Sequence, residues 1–344
     1  MWRRMAAVTA AVVVAVASAG CAGSGQGPQP PGAVREVTVL GPVNSLPMDA
    51  PFHVADARGH YAAEGLAVTI RPGQGTARNI GVLLNGEADF AVVDLSAAIV
   101  QLPTLDKGGF RAVSALYQRS ISTITALSSS GISRPSDLEG KRIGYPAGGT
   151  NYTLFPAYAE VAGIDASKVI WQQMDAGQLR PMLVNKKVDA VAETVIGTPG
   201  ITVMAGGDPP VVLPYSDVLS DLYGNVIIAS TDLIDRDPDL VARFVAATNR
   251  GLGDTIGDPH AAARVFVERV PQFKADAAVK EIELMDAYVR GPGADIGDLD
   301  PTKVMKTIVL LQGIGTIPGD LQMRPLDVIH LPCPPGRSPG TPCT

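Results

Sequence analysis

The sequence predicts a two-lobed α/β protein. Each lobe is a β-α-β-α-β doubly wound sheet, and extra C-terminal helices pack on lobe one. Three observations carry this reading. The first is an internal echo: residues 82–93 read VLLNGEADFAVV and residues 182–193 read MLVNKKVDAVAE, so Leu83, Asn85 and Asp89 recur as Leu183, Asn185 and Asp189. Each copy has the pattern of an amphipathic helix end, a polar turn and a short buried strand. The second is a matching order upstream, where YAAEGL at 61–66 and YAEVAGI at 158–164 each end a helix at glycine before an apolar strand start. The third is the alternation of strands with helices, which favours a parallel sheet wrapped by helices.

The elements follow in order. Residues 37–40 (VTVL) form a strand, and 41–50 a turn-rich loop. Residues 51–64 read as one helix, with Pro51 suited to its first turn and Gly65 ending it. A strand over 66–70, a tight loop at Gly73-Gln74-Gly75-Thr76, a helix over 77–85 and a strand over 89–93 complete the first lobe. The second repeats the order: strand 142–145, helix 150–162, strand 169–172, helix 178–185, strand 189–192. Residues 112–127 leave lobe one and 226–230 return to it, and two crossings make a hinge. Asp237-Pro238, Asp258-Pro259 and Asp300-Pro301 each supply an N-cap followed by proline at the first helical position. They open helices over 240–251, 261–270 and 302–311, with a further helix over 276–290. The domain plan is a leader (1–20), a tether (21–33), lobe one (34–116 and 226–320), lobe two (117–225) and a proline-rich tail (321–344), mostly turn and disorder.

Bulk composition narrows the function. Of 344 residues, 46% are apolar and 18% charged, an ordinary globular balance. The net charge is −6 without a basic stripe, which argues against a nucleic-acid partner. At the N-terminus, Arg3 and Arg4 precede an apolar run over 5–19 that is short for a membrane span. Ala17-Ser18-Ala19-Gly20-Cys21 then resembles the lipobox of bacterial lipoproteins, with Ser18 where that motif has an aliphatic residue. Either Cys21 is acylated and anchors the chain, or the leader is an ordinary cleaved signal with an incidental cysteine. Arg3-Arg4 is also similar to a twin-arginine signal, but Trp2 and Met5 fit poorly and ordinary secretion is favoured. Residues 22–33 (AGSGQGPQPPGA) have a tether composition. Cys333 and Cys343 in the tail are expected to pair in an exported protein. A zinc site there is disfavoured, because His330 alone adds too few ligands.

Catalytic motifs are missing: the sequence has no Gly-x-Ser-x-Gly elbow, P-loop or His-Glu-x-x-His. Gly73-Gln74-Gly75 lacks the third glycine of a dinucleotide fingerprint. His53 and His60 lie on one expected helix, where surface positions are the simpler reading.

Four segments carry a family resemblance. PFHVADARGHYAAEGLAVTI (51–70), GEADF (86–90), SDLEGKRIG (136–144) and PDLVARF (238–244) resemble runs in extracellular substrate-binding proteins of ABC importers, over roughly residues 34–271. The branch is the one that binds thiamine pyrimidine precursors, nitrate, taurine and alkanesulfonates. The resemblance implies the type II periplasmic-binding-protein fold and a small-molecule ligand. It also implies a permease and ATPase as partners, an extracytoplasmic lipid-anchored monomer, and no cofactor, metal or catalysis. Fungal pyrimidine synthases share the fold and carry a Cys-Cys-Cys-Phe-Cys run, which has no counterpart here. Asp137 and Asp189 are read as bracing turns, and Gly140 and Gly144 as permitting close packing.

Ligands of open α/β sheets sit beyond the carboxyl ends of the strands. Those ends bring up Asn44, Asp94 and Ser96 from lobe one, and Tyr145, Gly148, Gly149, Thr150 and Glu193 from lobe two. Gly148-Gly149-Thr150 precedes a helix, so Thr150 is either its N-cap or a ligand for a polar group at the helix N-terminus. Phe52 is either core or a ring contact. Tyr117, Tyr145, Tyr152 and Tyr223 are either core or stacking partners for a flat ligand. The expected rim holds Asp94, Asp175 and Glu193 against one cation, Arg119. That balance favours an N-heterocyclic or cationic metabolite, with sulfonate or nitrate as the alternative and a pyrimidine-synthase-like enzyme as the alternative of another class.

Overall fold

The computed structural model describes residues 34–105, 109–291 and 293–331. Cys21, the tether and the Cys333/Cys343 pair lie outside these residues. The chain begins with β1 (Arg35–Leu40), the short β2 (Val43–Asn44), α1 (Ala50–Ala57), α2 (His60–Ala63), β3 (Leu66–Arg71) and β4 (Gly73–Gln74). It continues through α3 (Thr76–Leu84), β5 (Phe90–Asp94), α4 (Leu95–Gln101) and β6 (Phe110–Ala115). Lobe two holds β7 (Ser122–Leu127), β8 (Arg142–Tyr145), α5 (Thr150–Ala162), β9 (Ile170–Gln173), α6 (Leu179–Val184), β10 (Ala190–Thr194), α7 (Thr198–Ala205) and β11 (Pro210–Pro214). The return strand β12 (Asn225–Ser230) leads into α8 (Thr231–Arg236), α9 (Pro238–Gly257), α10 (Pro259–Arg269), α11 (Ala275–Glu283), α12 (Asp286–Val289), α13 (Pro301–Gly313) and α14 (Pro325–Val328).

The two sheets have the same plan. One runs β3-β1-β5-β12-β6 and the other β9-β8-β10-β7-β11. In each, the first three strands are parallel, and the fourth is antiparallel to the third. The sequence echo has a physical cause in this symmetry. Asp89 Oδ2 accepts from the Thr38 N–H at 2.8 Å, and Asp189 Oδ2 accepts from the Arg142 N–H at 2.8 Å. Each aspartate, just before the central strand of its sheet, thus ties that strand to its parallel neighbour, β1 or β8. Leu83 and Leu183 are buried, and Asn85 and Asn185 close their helices. The next residue is left-handed in both copies: Gly86 at φ 75° and Lys186 at φ 56°, a conformation glycine adopts without the Cβ clash that lysine meets.

The Asp-Pro pairs cap as expected. Asp237, Asp258 and Asp300 accept from the N–H groups of Leu240, Ala261 and Thr302. The helix expected over 51–64 is instead two, because Gly59 turns left-handed (φ 73°) between α1 and α2. His53 and His60 therefore sit on different helices: His53 is inward and His60 Nε2 meets Asp254 Oδ2 at 2.7 Å. The helix expected over 276–290 is likewise split into α11 and α12. The tail expected from 321 is packed through 329: Val328 and Ile329 are buried, and Ile329 bridges Ala112 of β6.

Two segments cross between the sheets, and they touch backbone to backbone. Leu116 and Tyr117 donate to the Asn225 carbonyl, and Ser120 donates to that of Leu222. A Cβ on Gly224 would lie 2.3 Å from the Arg119 oxygen, so glycine is required there.

Candidate ligand-binding site

The carboxyl ends of β1, β3 and β5 face those of β8, β9 and β10 across a cavity of about 690 Å³. Its walls are mainly apolar, with Leu46, Met48, Ile121, Leu179, Met204 and Phe273 contributing. Its polar groups include Asn44, Thr76 and Asp94 from one lobe, and Thr150, Asn151, Arg180 and Glu193 from the other, with Gln272 and Lys274 also on the wall.

Two buried asparagines hold the rims in place. Asn79 Nδ2 donates to the carbonyls of Gly41 and Val92, both at 2.8 Å, while its Oδ1 accepts from the Gln74 N–H. One amide thus staples the loop after β1 to β4 and to β5. Asn151 does the corresponding work in lobe two, donating to the carbonyls of Thr123 and Glu193 at 2.8 and 2.9 Å. A buried amide must satisfy both its donor and acceptor atoms, so these contacts fix the loops.

Asp94 is the N-cap of α4, its Oδ1 accepting from the Ala97 N–H at 2.9 Å. It is 3% exposed, and Oδ2 has no hydrogen-bond partner among the described residues. Burial pushes its pKa up to about 7, against the pull of the Ala97 and Ser96 N–H groups. An unpaired buried carboxyl is costly, so this is a group suited to a partner within the cavity.

Thr76 and Thr150 meet across the gap, hydroxyl to hydroxyl at 3.0 Å, and Thr76 Oγ1 also accepts from the Asp94 N–H. Beside them a Cβ on Gly75 would lie 2.9 Å from the Gly148 carbonyl oxygen. The N-cap of α5 is Gly149, not Thr150. Its N–H is used within a turn, donating to the Pro146 carbonyl, so the Gly148-Gly149 pair is not an open anion cradle.

Arg180 is the residue that the sequence did not reveal. Its Nε donates to Glu193 Oε2 at 2.8 Å, and its Nη1 donates to Glu281 Oε1 at 2.9 Å. Glu193 ends β10 in lobe two, whereas Glu281 is on α11, which packs on α10 and so belongs with lobe one. All three side chains are largely buried. The guanidinium fits because Gly197 and Gly200 have no side chain: a Cβ at either would lie within 2.4 Å of it. Burial pushes Glu281 up to about 7 despite the adjacent arginine, and the second carboxylate adds to that rise. Burial opposes the charge on Arg180, but the two carboxylates outweigh it and hold it protonated. In the sequence Arg180 reads as one more helix-surface cation, and Glu281 lies a hundred residues away.

Several expected site residues lie elsewhere. Phe52 is fully buried in the lobe-one core beneath α1. Ser96 Oγ donates to the Tyr223 carbonyl and accepts from its N–H, so it ties α4 to the return segment. Tyr117 is a core residue. Tyr223 is buried and donates to Gln118 Oε1. Tyr145 and Tyr152 stack on one another at 4.4 Å with Trp171 edge-on, away from the cavity wall. Their rings face each other and Trp171 rather than the cavity, with Tyr152 still 44% exposed, and Phe273 supplies the wall's aromatic surface among the described residues. Arg119 is also off the wall, lying over the Tyr288 ring and donating to the Ala287 carbonyl. Glu193 lines the cavity, but its Oε2 is taken by Arg180 and its Oε1 by the Thr194 N–H. Asn44, Asp94, Gly149 and Thr150 do line it, and Gly148 borders the adjoining space with Asp175. Among the described residues no His, Cys, Asp and Glu cluster has the makings of a metal site, and no helix is long and apolar enough to cross a membrane.

Two like sheets around an interlobe cavity define a periplasmic-binding-protein fold. The model of the NMT1/THI5-like family matches residues 47–262, and the chain belongs to that family. Riboflavin-binding protein RibY of Chloroflexus aurantiacus is 29% identical over 228 residues, 65% of this chain. The match spans 63% of the length of RibY, less than two thirds. Among solved structures, the alkanesulfonate-binding protein SsuA of Xanthomonas axonopodis pv. citri, bound to MOPS, superimposes with a TM-score of 0.65 at 13% identity, over 83% of this chain and 95% of that one. The periplasmic nitrate-binding protein NrtA of Synechocystis gives 0.64 at 12% identity, over 83% of each chain.

Proposed function

We propose that the chain is an extracytoplasmic solute-binding protein that captures a flat, neutral N-heterocycle between its lobes and hands it unchanged to an ABC importer. The observation that carries the ligand class is Asp94, a buried carboxyl with one unpartnered oxygen on a mainly apolar wall. A ring N–H gives it a partner, and the apolar surfaces take the ring faces. The cavity's buried cation, Arg180, already pairs with two carboxylates, so a small oxyanion would compete with Glu193 and Glu281 for it; the positive groups left over are its Nη2, without a hydrogen-bond partner among the described residues, and the exposed Lys274. A volume of about 690 Å³ suits a fused-ring ligand better than a lone pyrimidine, which would leave much of the wall uncovered. The similarity to a riboflavin-binding protein points the same way, ahead of the thiamine-precursor reading. A micromolar ligand supplies about 8 kcal/mol, enough to bias a hinge when it contacts both lobes.

Calorimetric titration with riboflavin, hydroxymethylpyrimidine, taurine and nitrate tests the class. Heterocycle binding is expected, weakened about 10-fold or more in Asp94→Asn, which keeps the cap. Binding of the anions alone overturns the proposal. Acylation of Cys21 is part of the same reading, since two or more acyl chains anchor firmly; Cys21→Ala is expected to release the protein from membranes.

A further inference from the structure

Next to the inner cavity lies an outer chamber of about 900 Å³, and the two share Val43, Asn44, Pro146, Ala176 and Gly177. Its jaws come from different lobes. The β2/β4 ribbon brings Asn44 and Gln74, and the chain after β9 brings Asp175 and Gln178, next to Gln173. Four of the lining side chains are therefore carboxamides. Among the described residues none of these four amide groups hydrogen-bonds to another part of the chain. The formal charges on the lining are Arg78 and Asp175, which balance.

A carboxamide both donates and accepts, as a hydroxyl does. A ring of such groups matches a polyol or sugar and offers no net charge for an anion. The inner chamber differs in character: its walls are mainly apolar, and Asp94 Oδ2 and Arg180 Nη2 are its buried polar atoms without a hydrogen-bond partner among the described residues. Asn44 stands where the two meet, and it is held left-handed (φ 47°), a strained conformation for a residue other than glycine.

We propose that the outer chamber is a subsite for a neutral polyhydroxylated substituent, so that the solute is a flat ring bearing a hydroxylated chain or sugar. This rests on the heterocycle reading above. The lining amides are open to solvent, so each adds modestly, and their joint contribution is about tenfold in affinity.

The test uses two flavins with one ring system: riboflavin, which carries a polyol chain, and lumiflavin, which has a methyl group in its place. Both are titrated by fluorescence quenching against the wild-type protein and Gln74→Ala/Gln178→Ala. The wild type is expected to bind riboflavin at least 10-fold more tightly than lumiflavin. The double variant keeps Asn44 and Gln173, so its preference is expected to fall to about 3-fold with lumiflavin binding unchanged, and its Tm is unchanged because both side chains are exposed. Equal affinity for the two flavins in the wild type, or a preference that the double substitution leaves undiminished, overturns the subsite and leaves the ring reading standing. Binding of neither flavin removes the fused-ring reading, and the subsite with it.

Discussion

Beside the apolar packing of α4 on α5, the lobes meet at two polar seams of opposite chemistry. On one side of the cavity they touch through neutral groups, Thr76 to Thr150 and Gly75 to Gly148. On the other they join through charge, Arg180 to Glu281, with Glu193 holding the arginine in place. Hydroxyls exchange one partner for water at small net cost, about 1 kcal/mol. Buried charges do not: the attraction is strong, but so is the desolvation that opposes it. The neutral seam is thus cheap to part and remake. The ionic seam is specific, because it is tolerable only with all three members in place.

The largest effect should come from removing the shared cation. Arg180→Met leaves Glu193 and Glu281 facing each other in a buried slot without a counter-ion. Breaking such a cluster on one side typically costs about 3–5 kcal/mol. Urea unfolding should show a loss of that order. A loss under about 1 kcal/mol would mean that the triad is effectively solvated, and the contrast between the seams would fall.

Deprotonation of Glu281 offers a gentler way to break the same seam. Glu281 faces Arg180, Glu193 and the Gly200 N–H, and burial raises its pKa to about 7. In separated lobes, exposed to water, it would titrate near the usual glutamate value of about 4.3. A group whose pKa rises on forming a state favours that state when protonated. The joined arrangement is therefore fully favoured below about pH 4 and loses that contribution as pH rises through about 7. Solution scattering or an interlobe fluorescence distance should report lobe separation growing between pH 5 and pH 8. Asp94 is also raised to about 7, so the control is comparative: Glu281→Gln should flatten the response, and Asp94→Asn should leave Glu281's share of it.

These seams also show how far the sequence was legible. The fold was, because its determinants are local or repeated. Asp89 and Asp189 brace equivalent strands, and three Asp-Pro caps open helices where expected. Half of the site was legible for the same reason: strand ends are where ligand groups gather, and Asn44, Asp94 and Thr150 sit on them. The tyrosines misled because an aromatic ring near a strand end is equally good core. Tyr117 and Tyr223 are buried at the hinge, and Tyr145 and Tyr152 stack on each other beside Trp171 instead of facing the cavity. Arg180 and Glu281 were illegible because their pairing exists only after α11 is laid against α7. No local pattern marks either residue.

The smallest effect belongs to the neutral seam. Thr150→Val keeps the β-branched shape and deletes the hydroxyl that meets Thr76. Thr76 Oγ1 still accepts from the Asp94 N–H, so no backbone donor is orphaned by the change. The stability loss should then be about 0.5–1.5 kcal/mol, the net value of one hydrogen bond. It should be the same at pH 5 and pH 8, since no titrating group forms that contact. Urea unfolding at both pH values checks this. A loss that grows towards pH 8 would mean that the threonine contact and the Glu281 cluster act as one latch rather than two.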